Sequence, residues 1–595
     1  MIHLMKPPLT APPLAPLAAL HAADALAPSV VKTGVILVNH VGFPPNAAKH
    51  CVIPSPPEKK FTIHRLKDTK WTQVFAGELA DGGSELEPGS VGDFSPLKED
   101  GIYQVRCGSL KSRTFTVYAG VYDTPLRVLF GYFGLARCGH PSKGWAGACH
   151  IEDGMLVGHG PRDFSGGYHQ SSDLRKWPWG LHLGLFGLTR FGTRARPSWD
   201  DGAIDDELRW SGGYLQKLVR EDGGMYDSVF VPIHWGPRDF YPSDPPAPAL
   251  WNTIRHQSEL ALHFKERDAT FARECLQIAE RVWQYMTGEK RPKALYRPPA
   301  MPPLGHDNLN TGFTGFYEGS ALDLSGRVHA ALAIHRLTAK KEYLDDAATS
   351  ATRLAALFVE SRSDEQSPPL FWEGPEGEGL ASTVPGFGYY ANPYILLGLT
   401  EALQSLPHHA AASTWQSVLH AAADWYLSCS HRNPWGLLAT NFDFIDQVGT
   451  QGLSQPEGFY PGPSVKGRSG RQRPVGHMYR RYLYHNETLQ TALFLRRASE
   501  LLGDPRYLPV AQRQLDWVMG CNPFDASAIE GVGYNQTLRG IFGEFFPPTP
   551  QLPGAVGIGL QYASFDPQLY GNCGSNEYDL PVVGSALWLM AEQAL

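Results

Sequence analysis

The sequence lacks the features that mark several classes of protein. No apolar run approaches the ~20 residues that a membrane-spanning helix needs, so we expect no membrane partner. None of the eight cysteines forms a CxxC pair, which argues against a zinc ribbon or a redox motif. The net charge of -7 supplies no basic surface for nucleic acid. No repeat of fixed length is present, which argues against a simple solenoid.

Aromatic residues, by contrast, are plentiful. They make up 11% of the 595 residues, with 15 Trp and 25 Tyr. Most large rings pack in protein cores, but such rings also stack on the apolar faces of sugars. A chain of this length is expected to form two or more domains, and its 43% hydrophobic content is that of an ordinary globular protein.

The first residues do not read as a clear export signal. A signal peptide has a basic start and an uninterrupted apolar stretch, whereas here Lys6 is the only basic residue of the first thirty. Prolines interrupt the start, and His21 and Asp24 fall inside the apolar stretch. Between a disordered and a targeting leader over 1–32, the composition favours disorder. Periplasmic or secreted and cytoplasmic locations all stay open.

Two types of pattern follow the leader. Short runs with turn signals between them predict the strands of a small β-sandwich at 35–38, 61–64, 103–106 and 114–118. From Tyr122 onward the apolar period becomes helical. Four stripes predict helices: one from Phe271 to Val282, one from Leu344 to Phe358, one from Leu489 to Leu502 and one from Leu508 to Val518.

Long connections rich in Gly, Pro and aromatic residues separate the predicted helices. Loops of such length inside a compact domain are usually functional. They cover 226–251, 291–317 and 441–482.

Two compact acidic elements carry the most chemical information. The segment 165–173 reads SGGYHQSSD and precedes Trp177 and Trp179, and the segment 574–579 reads GSNEYD. Hydrolysis of a glycosidic bond uses two carboxyl groups, one as an acid for the leaving oxygen and one as a base for water. The two elements therefore point to a carbohydrate-active enzyme.

Several segments, in their shared order along the chain, resemble glycoside hydrolase family nine, the cellulase family whose members invert the anomeric centre. The form in question has an N-terminal immunoglobulin-like module. The resemblance covers the chain from about Val35 to its C-terminus. It rests on NHVGF at 39–43, on 121–139 with Cys149, His150 and Asp153, on 207–226, and on 515–533 with its GCNP and GVG runs.

The resemblance implies a fold and a set of roles. It implies an immunoglobulin-like β-sandwich over 33–119, followed by an all-α (α/α)6 barrel over 120–595. The family signature GGWHDAGD corresponds to GGYHQSSD at 166–173, so Asp173 matches the general base. Glu577, in the pair Asn576-Glu577, matches the general acid.

This chain departs from the family pattern at three points. Gln170 replaces the first Asp of the signature, which helps to position the attacking water. The Gln amide can still hold a water, but without its negative charge Asp173 should ionise more easily and be less basic. The family's His-His-Arg element is replaced by 534–539 (YNQTLR), and the residues after Glu577 also differ.

Further residues are candidates for substrate contact, with alternatives left open. Asp173 also suits the N-cap of a helix near Leu174, and Tyr168, His169 or Asp579 could take over part of the chemistry. No histidine spacing forms a tight zinc set, so we expect structural histidines at 150, 169 and 485 and no catalytic metal. Loops rich in Asp, Asn and Gly leave room for a structural calcium ion. The substrate-binding candidates are Tyr168, His169, Trp177, Trp179, Trp235, Trp372, Tyr389, Arg539 and Asp579.

These patterns predict an inverting glycoside hydrolase acting on a β-linked glucan or a related oligo- or polysaccharide. Glu577 would protonate the glycosidic oxygen, Asp173 would activate water, and Gln170 would orient that water. Such a reaction requires no cofactor. An exo-acting β-glucosidase or β-glucosaminidase is one alternative, and a degenerate glycan-binding protein is another. The oligomeric state stays open.

Overall fold

The structure is a computed structural model. It describes residues 32, 34–86, 88–138, 154–156, 158–168, 178–192, 201–228, 239–241, 244, 247–289, 291, 318–359, 369–372, 374, 391–443, 459–466, 472–478, 485–536, 552–560, 578 and 580–594.

The N-terminal part folds as a β-sandwich. Along β6 the side chains of Tyr103, Val105 and Cys107 are buried while the residues between them are more exposed, as expected for a strand with one face on a core. The strands pair in the order β1-β8-β6-β3-β4-β5-β2, with β7 on β6. Their bounds are β1 Gly42–Phe43, β2 His50–Ile53, β3 Lys60–Lys67, β4 Lys70–Asp81, β5 Ser90–Asp93, β6 Gly101–Cys107, β7 Leu110–Lys111 and β8 Phe115–Val117.

Three of the four predicted strands are confirmed, and one is wrong. The predictions at 61–64, 103–106 and 114–118 correspond to β3, β6 and β8. The segment 35–38 forms only an isolated bridge, between Leu37 and Val52. Just after this bridge, the backbone contacts the helical part of the chain, where His40 N donates to Met519 O at 2.9 Å. It therefore joins two units instead of extending one sheet.

The rest of the described chain is mainly helical, and the predicted stripes are confirmed as helices. The residue Phe358 lies just beyond the end of its helix, in a bridge with Phe371. The helices are α1 Asp123–Ala136, α2 Pro178–Gly192, α3 Asp201–Leu218, α4 Ala247–Phe264, α5 Ala269–Thr287, α6 Ala321–Thr338, α7 Lys341–Ala355, α8 Ala391–Ser405, α9 Ala412–Ser430, α10 His485–Leu502, α11 Tyr507–Val518 and α12 Leu580–Ala594.

Among these described helices, the even-numbered ones form a closed ring. The helices pack in the order α2, α4, α6, α8, α10 and α12, and α12 packs again on α2. The odd-numbered helices pack on the outside of this ring. The burial patterns agree with this arrangement, because α4 and α6 are buried on nearly all sides whereas α5 has one apolar stripe.

Long and short connections alternate around the ring. The connections from an inner to an outer helix, such as 265–268 and 339–340, are short. Those from an outer to the next inner helix are long, and they all precede the N-terminus of an inner helix. They are 137–177, 219–246, 288–320, 356–390, 431–484 and 519–579.

The long connections contain strands that the sequence did not predict. The region 441–482, expected to be a loop, includes a three-stranded sheet in the order β13-β15-β14. The predicted loop 226–251 contains two short strands and also the start of α4 at Ala247. The strands of these connections are β9 Met155–Leu156, β10 Gly160–Pro161, β11 Asp227–Ser228, β12 Asp239–Tyr241, β13 Thr440–Asp443, β14 Phe459–Lys466 and β15 Gln472–Met478.

Glycines bring the first and last inner helices into backbone contact. A Cβ added to Gly187 of α2 would lie 1.8 Å from the carbonyl oxygen of Gly584 in α12. A Cβ added to Gly184 would lie 2.6 Å from the Leu580 side chain. The contacting residue numbers rise together in the two helices, so α2 and α12 run in the same direction. Their N-termini consequently lie at the same end of the ring.

A largely buried cluster of charged side chains links four of the inner helices. Arg190 of α2 forms ion pairs with Glu401 of α8 and with Glu259 of α4, the latter at 3.3 Å. His329 of α6 lies 3.1 Å from Glu401, and Arg255 lies 3.3 Å from Glu259. Burial raises the pKa of Glu401, but Arg190, His329 and Arg255 together outweigh burial and hold this pKa well below its ordinary value.

A second buried ion pair joins the last two inner helices. Arg497 Nη2 of α10 lies 2.6 Å from Glu592 Oε1 of α12. Trp588 Nε1 donates to the same oxygen at 2.6 Å. The two groups of charges together involve every helix of the ring. Because each charge is removed from water, loss of one partner would leave an uncompensated charge in the interior.

None of the helices that the structure describes combines the length and apolarity that crossing a bilayer requires. The thiols of Cys51, Cys107, Cys275, Cys429 and Cys521 are buried and free.

A buried carboxyl group lies where the sandwich meets α11. Asp516 Oδ1 accepts hydrogen bonds from Asn39 Nδ2 of the sandwich at 2.8 Å and from Gln512 Nε2 at 2.9 Å. Its other oxygen has no hydrogen-bond partner among the described residues. Burial raises the pKa of Asp516 to about 7, so this carboxyl group carries a proton in mildly acidic solution.

The joint between sandwich and helices should therefore weaken as the pH rises. Between about pH 4 and pH 7 the folded chain holds a proton on Asp516 that the unfolded chain releases, so the free energy of unfolding falls across this window. The variant Asp516→Asn cannot release that proton. We expect it to gain on the order of 2–4 kcal/mol relative to wild type between the two ends of the window.

Chemical denaturation at several pH values measures this difference. Asp345→Asn, at an exposed position in α7, controls for the loss of one negative charge and should follow the wild type. A constant difference between Asp516→Asn and wild type at all pH values would contradict the prediction.

The contact between α2 and α12 yields a second prediction. Gly187→Ala should lower the free energy of unfolding by about 3 kcal/mol or more, because its methyl group would overlap the Gly584 carbonyl. Gly131→Ala is the matched control, since it lies in α1 with nothing within 4 Å of an added Cβ. The control should stabilise the helix by roughly 0.5–1 kcal/mol. Equal effects of the two substitutions in thermal denaturation would refute the close approach.

Candidate active site

Most of the residues predicted to act in the site lie outside the described residues. This holds for Asp173, Glu577, Gln170, His169, Trp177, Trp235, Tyr389, Arg539 and Asp579. The residues that flank the two acidic elements are described, and they fix where the chain enters and leaves each of them.

Two glycines of the first acidic element are required by their surroundings. Gly166 and Gly167 both have positive φ, at 119° and 77°. A Cβ on either would approach the ring of Tyr214 to within about 3 Å. The Gly167 carbonyl accepts hydrogen bonds from Cys138 N at 2.9 Å and from Trp210 Nε1 at 3.0 Å. The glycine pair thus lets the chain lie flat against α3 directly before the predicted catalytic segment.

Tyr168 anchors the same segment in the interior. Its side chain is fully buried, and its hydroxyl donates to Glu207 Oε1 of α3 at 2.6 Å. This differs from the substrate contact expected at Tyr168, because the ring faces the core and the hydroxyl is already bound. The sequence pattern gave no sign of this, since a Tyr beside a catalytic motif suits either position.

Glu207 was not predicted as part of the site. Its Oε2 accepts from Arg137 Nε at 3.1 Å, and Arg137 also reaches Asp206 at 2.7 Å. Burial raises the pKa of Glu207, although Arg137 opposes the shift. Glu207 lies in a helix with many charged residues, so the sequence alone did not distinguish this buried side chain from the exposed charged ones. Its contacts are those of a support for Tyr168.

The second acidic element is anchored in a similar way. Tyr578, directly after Glu577, is buried and forms an antiparallel bridge with Gly557. Gly557 N donates to Ala528 O at 3.0 Å, and its carbonyl accepts from His485 Nδ1 at 2.7 Å. The backbone beside the predicted acid therefore belongs to a hydrogen-bonded layer.

One turn of α1 brings the two anchors together. The ring of Tyr168 packs edge-on against Phe133, with centroids 5.8 Å apart. The ring of Tyr578 packs edge-on against the adjacent Tyr132 at 6.0 Å. The acidic elements also lead directly into α2 and α12, whose N-termini lie at the same end of the ring. The described residues that flank the two acidic elements thus lie in one region, at the same end of the ring.

His485 has a structural role. Its Nδ1 binds the Gly557 carbonyl, and its Nε2 accepts from Trp517 Nε1 at 3.1 Å. This confirms the expected structural histidine, whereas His150 and His169 lie outside the described residues. Within the described part of the chain, no three His, Cys, Asp or Glu side chains are grouped to hold a metal ion. The calcium site stays a prediction.

Two predicted stacking residues are described. Trp179 lies in the first turn of α2 and thus at the end of the ring where the acidic elements enter. Trp372 lies in the long connection 356–390, where it is half-buried and its N donates to Leu357 O at 2.8 Å. Both belong to the face that carries the long connections.

A cavity of about 460 Å³ opens beside the connection 137–177. In its wall Arg162 Nη1 donates to the Tyr226 hydroxyl at 2.7 Å, with the guanidinium 4.7 Å from the ring centroid. It is lined by Leu156, His159, Gly160, Pro161, Arg162, Arg220 and Tyr226. Donors beside an aromatic face suit a sugar hydroxyl or carboxylate.

Comparison with known proteins identifies relatives along nearly the whole chain. A cellodextrinase of Butyrivibrio fibrisolvens is 23% identical over 534 residues, which cover 84% of this chain and 85% of the relative. A metagenome-derived family 9 endoglucanase shares the fold with a TM-score of 0.63 at 20% identity, over 94% of this chain and 98% of that chain. A thermostable endoglucanase from Alicyclobacillus acidocaldarius gives 0.65 at 16% identity, over 94% and 99%.

Two family models match the chain. Residues 32–112 match the cellulase N-terminal ig-like domain, in agreement with the β-sandwich. Residues 122–539 match glycosyl hydrolase family 9. This match covers most of the chain, so the protein belongs to glycosyl hydrolase family 9 and is a glycoside hydrolase.

Proposed function

We propose that this protein hydrolyses β-linked glucans with inversion at the anomeric carbon, using Glu577 as general acid and Asp173 as general base. The observation that carries the proposal is the pair of anchors on α1. Tyr168 precedes Asp173 by a short segment and Tyr578 adjoins Glu577, and they pack on the neighbouring residues Phe133 and Tyr132.

We also propose that the helical part is an (α/α)6 barrel spanning 120–595, with an immunoglobulin-like sandwich over 33–119. The closed ring of inner helices and the outer helices packed on it support this assignment. In such a barrel the long connections build one face. The proposed acid and base both belong to long connections, 519–579 and 137–177.

The chemistry follows from two carboxyl groups on opposite sides of the sugar. The protonated Glu577 gives its proton to the glycosidic oxygen as the bond to the anomeric carbon breaks. The ionised Asp173 accepts a proton from the water that attacks from the opposite face. Room for this water requires the carboxyl groups to stand ~6.5–9.5 Å apart. Gln170 would orient the water through its amide, and the reaction needs no cofactor.

The substrate class is argued from aromatic residues and from relatives. Trp177 and Trp179 closely follow the proposed base in the sequence, and Trp179 lies in the first turn of the next helix. Their rings would stack on glucose units. Trp235, Trp372 and Tyr389 would extend the binding surface, with Arg539, His169 and Asp579 as polar contacts. The family 9 relatives include endoglucanases and a cellodextrinase.

The cellodextrinase relative favours one alternative, which is exo-action on short oligosaccharides. Product profiles would separate this from endo-cleavage, since an exo-acting enzyme releases one product size from the start.

The catalytic pair gives a direct test. Glu577→Gln and Asp173→Asn should each lower kcat on cello-oligosaccharides by about 10²–10⁴-fold, since each removes one proton transfer. Proton NMR of fresh products from wild type should show the α-anomer first. Release of the β-anomer would exclude inversion. Asp345→Asn, at the exposed position in α7, serves as the control variant.

Restoring the family residue tests the role of position 170. A carboxylate in Gln170→Asp should raise the pKa of Asp173 by like-charge repulsion and make it a stronger base. Turnover should rise, and the acidic limb of the pH profile should move to higher pH, because the base must be ionised to act. Gln170→Asn, with the size of Asp and no charge, should leave the limb in place. An identical shift in both variants would contradict this explanation.

A further inference from the structure

The first segment of the sandwich runs beside the chain that leaves α11. Lys32 N donates to Pro523 O at 3.0 Å, and His40 N donates to Met519 O at 2.9 Å. The sandwich residues rise in number as their partners fall, so the two segments run antiparallel. The sandwich thus contacts the start of the long connection 519–579, which also carries Glu577.

The His40 side chain inserts into this connection. Its ring is fully buried, and Cβ atoms added to Gly520 and Gly533 would lie 2.2 Å and 2.8 Å from its two nitrogens. Tyr534 stacks on the ring with centroids 3.8 Å apart, and Arg113 of the sandwich lies 3.8 Å from the Tyr534 centroid. Only glycine at both positions leaves space for the imidazole.

A turn over 525–535, here named the 525–535 turn, is closed around Asp525. This residue has a φ of 50°, a left-handed conformation that neighbouring contacts must maintain. Its carboxylate lies 3.1 Å from His40 Nε2 and also accepts the Tyr534 hydroxyl. Asn535 Nδ2 donates to its carbonyl at 2.8 Å. His40 therefore reaches the one non-glycine residue of this turn whose φ is positive.

Backbone pairing continues from the 525–535 turn to the proposed acid. Ala528, within the turn, accepts from Gly557 N at 3.0 Å. Gly557 in turn bridges Tyr578, the neighbour of Glu577. Each link is a backbone hydrogen bond or bridge between buried residues, so a displacement of the turn would be transmitted to the backbone beside the acid.

We infer that His40 is a positioning residue that acts through the 525–535 turn to hold Glu577 where it protonates the leaving oxygen. The inference rests on the proposed role of Glu577. It assigns the sandwich a part in catalysis that is separate from its contribution to folding. His40 does not touch the substrate, because its ring is enclosed by Gly520, Gly533 and Tyr534.

Leaving-group dependence distinguishes this role from a merely structural one. Cleavage of cellotetraose requires protonation of a poor leaving group, whereas 2,4-dinitrophenol departs without it. His40→Ala should lower kcat on cellotetraose by about tenfold or more, with KM little changed. On 2,4-dinitrophenyl β-cellobioside its kcat should change by less than about threefold. Glu577→Gln, measured beside it, should show the same selectivity more strongly.

Matched variants separate the effect from stability. Asn39→Ser loses the bond to Asp516 on α11 but no contact with the 525–535 turn, so its melting temperature should fall with both kcat values unchanged. His40→Gln keeps a donor for Asp525 and should recover part of the cellotetraose rate. If His40→Ala does not fold, Tyr534→Phe removes one bond to Asp525 at a partly exposed position and should show the same selectivity.

The outcomes are distinct. Selective loss on cellotetraose in His40→Ala and Tyr534→Phe, with Asn39→Ser unaffected, supports the inference. Proportional loss on both substrates, or no loss, overturns it while Glu577→Gln stays selective. If Glu577→Gln itself lacks selectivity, the proposed acid is wrong, and the inference about His40 falls with it.

Discussion

The contact between α2 and α12 is the constraint on which the site depends. Two helices from opposite ends of the helical chain meet through glycines, with backbone separations that no larger residue permits. This contact closes the ring of inner helices, and the same two helices begin directly after the proposed base and acid. Because neither helix can shift without opening the ring, backbone packing fixes the points at which the segments of the proposed base and acid join α2 and α12.

Around this contact, each segment has its own support. The first is held by Tyr168, Glu207 and Arg137, a buried network in which every charged or polar member has a partner. The second is held by backbone pairing through Gly557, which leads back to the sandwich at His40. The two segments thus have different supports, one inside the helical part and one that also reaches the sandwich, and both supports meet at α1.

Most helices and strands could be predicted from the sequence, but the contacts between distant segments could not. Helical periods located α5 and α10, because apolar stripes report directly on which face is buried. The sheet within 441–482 was missed, because Gly- and Pro-rich strands lack the alternation that marks a half-buried strand. The segment 35–38 was predicted as a strand, but it forms only a single bridge to Val52, while His40, just beyond it, pairs with the helical part. Glu207 went unnoticed, since burial of a charge depends on contacts far away in the chain.

The buried charges of the ring have a consequence for how this enzyme can vary. Arg190 forms ion pairs with both Glu401 and Glu259. A neutral residue at any one of these three positions would leave an uncompensated charge in the interior, at a cost of about 3–5 kcal/mol. Exchange of all members together for apolar residues of equal volume carries no such penalty. Single substitutions at these positions are therefore disfavoured, and a redesign of the interior of the helical ring must change them together.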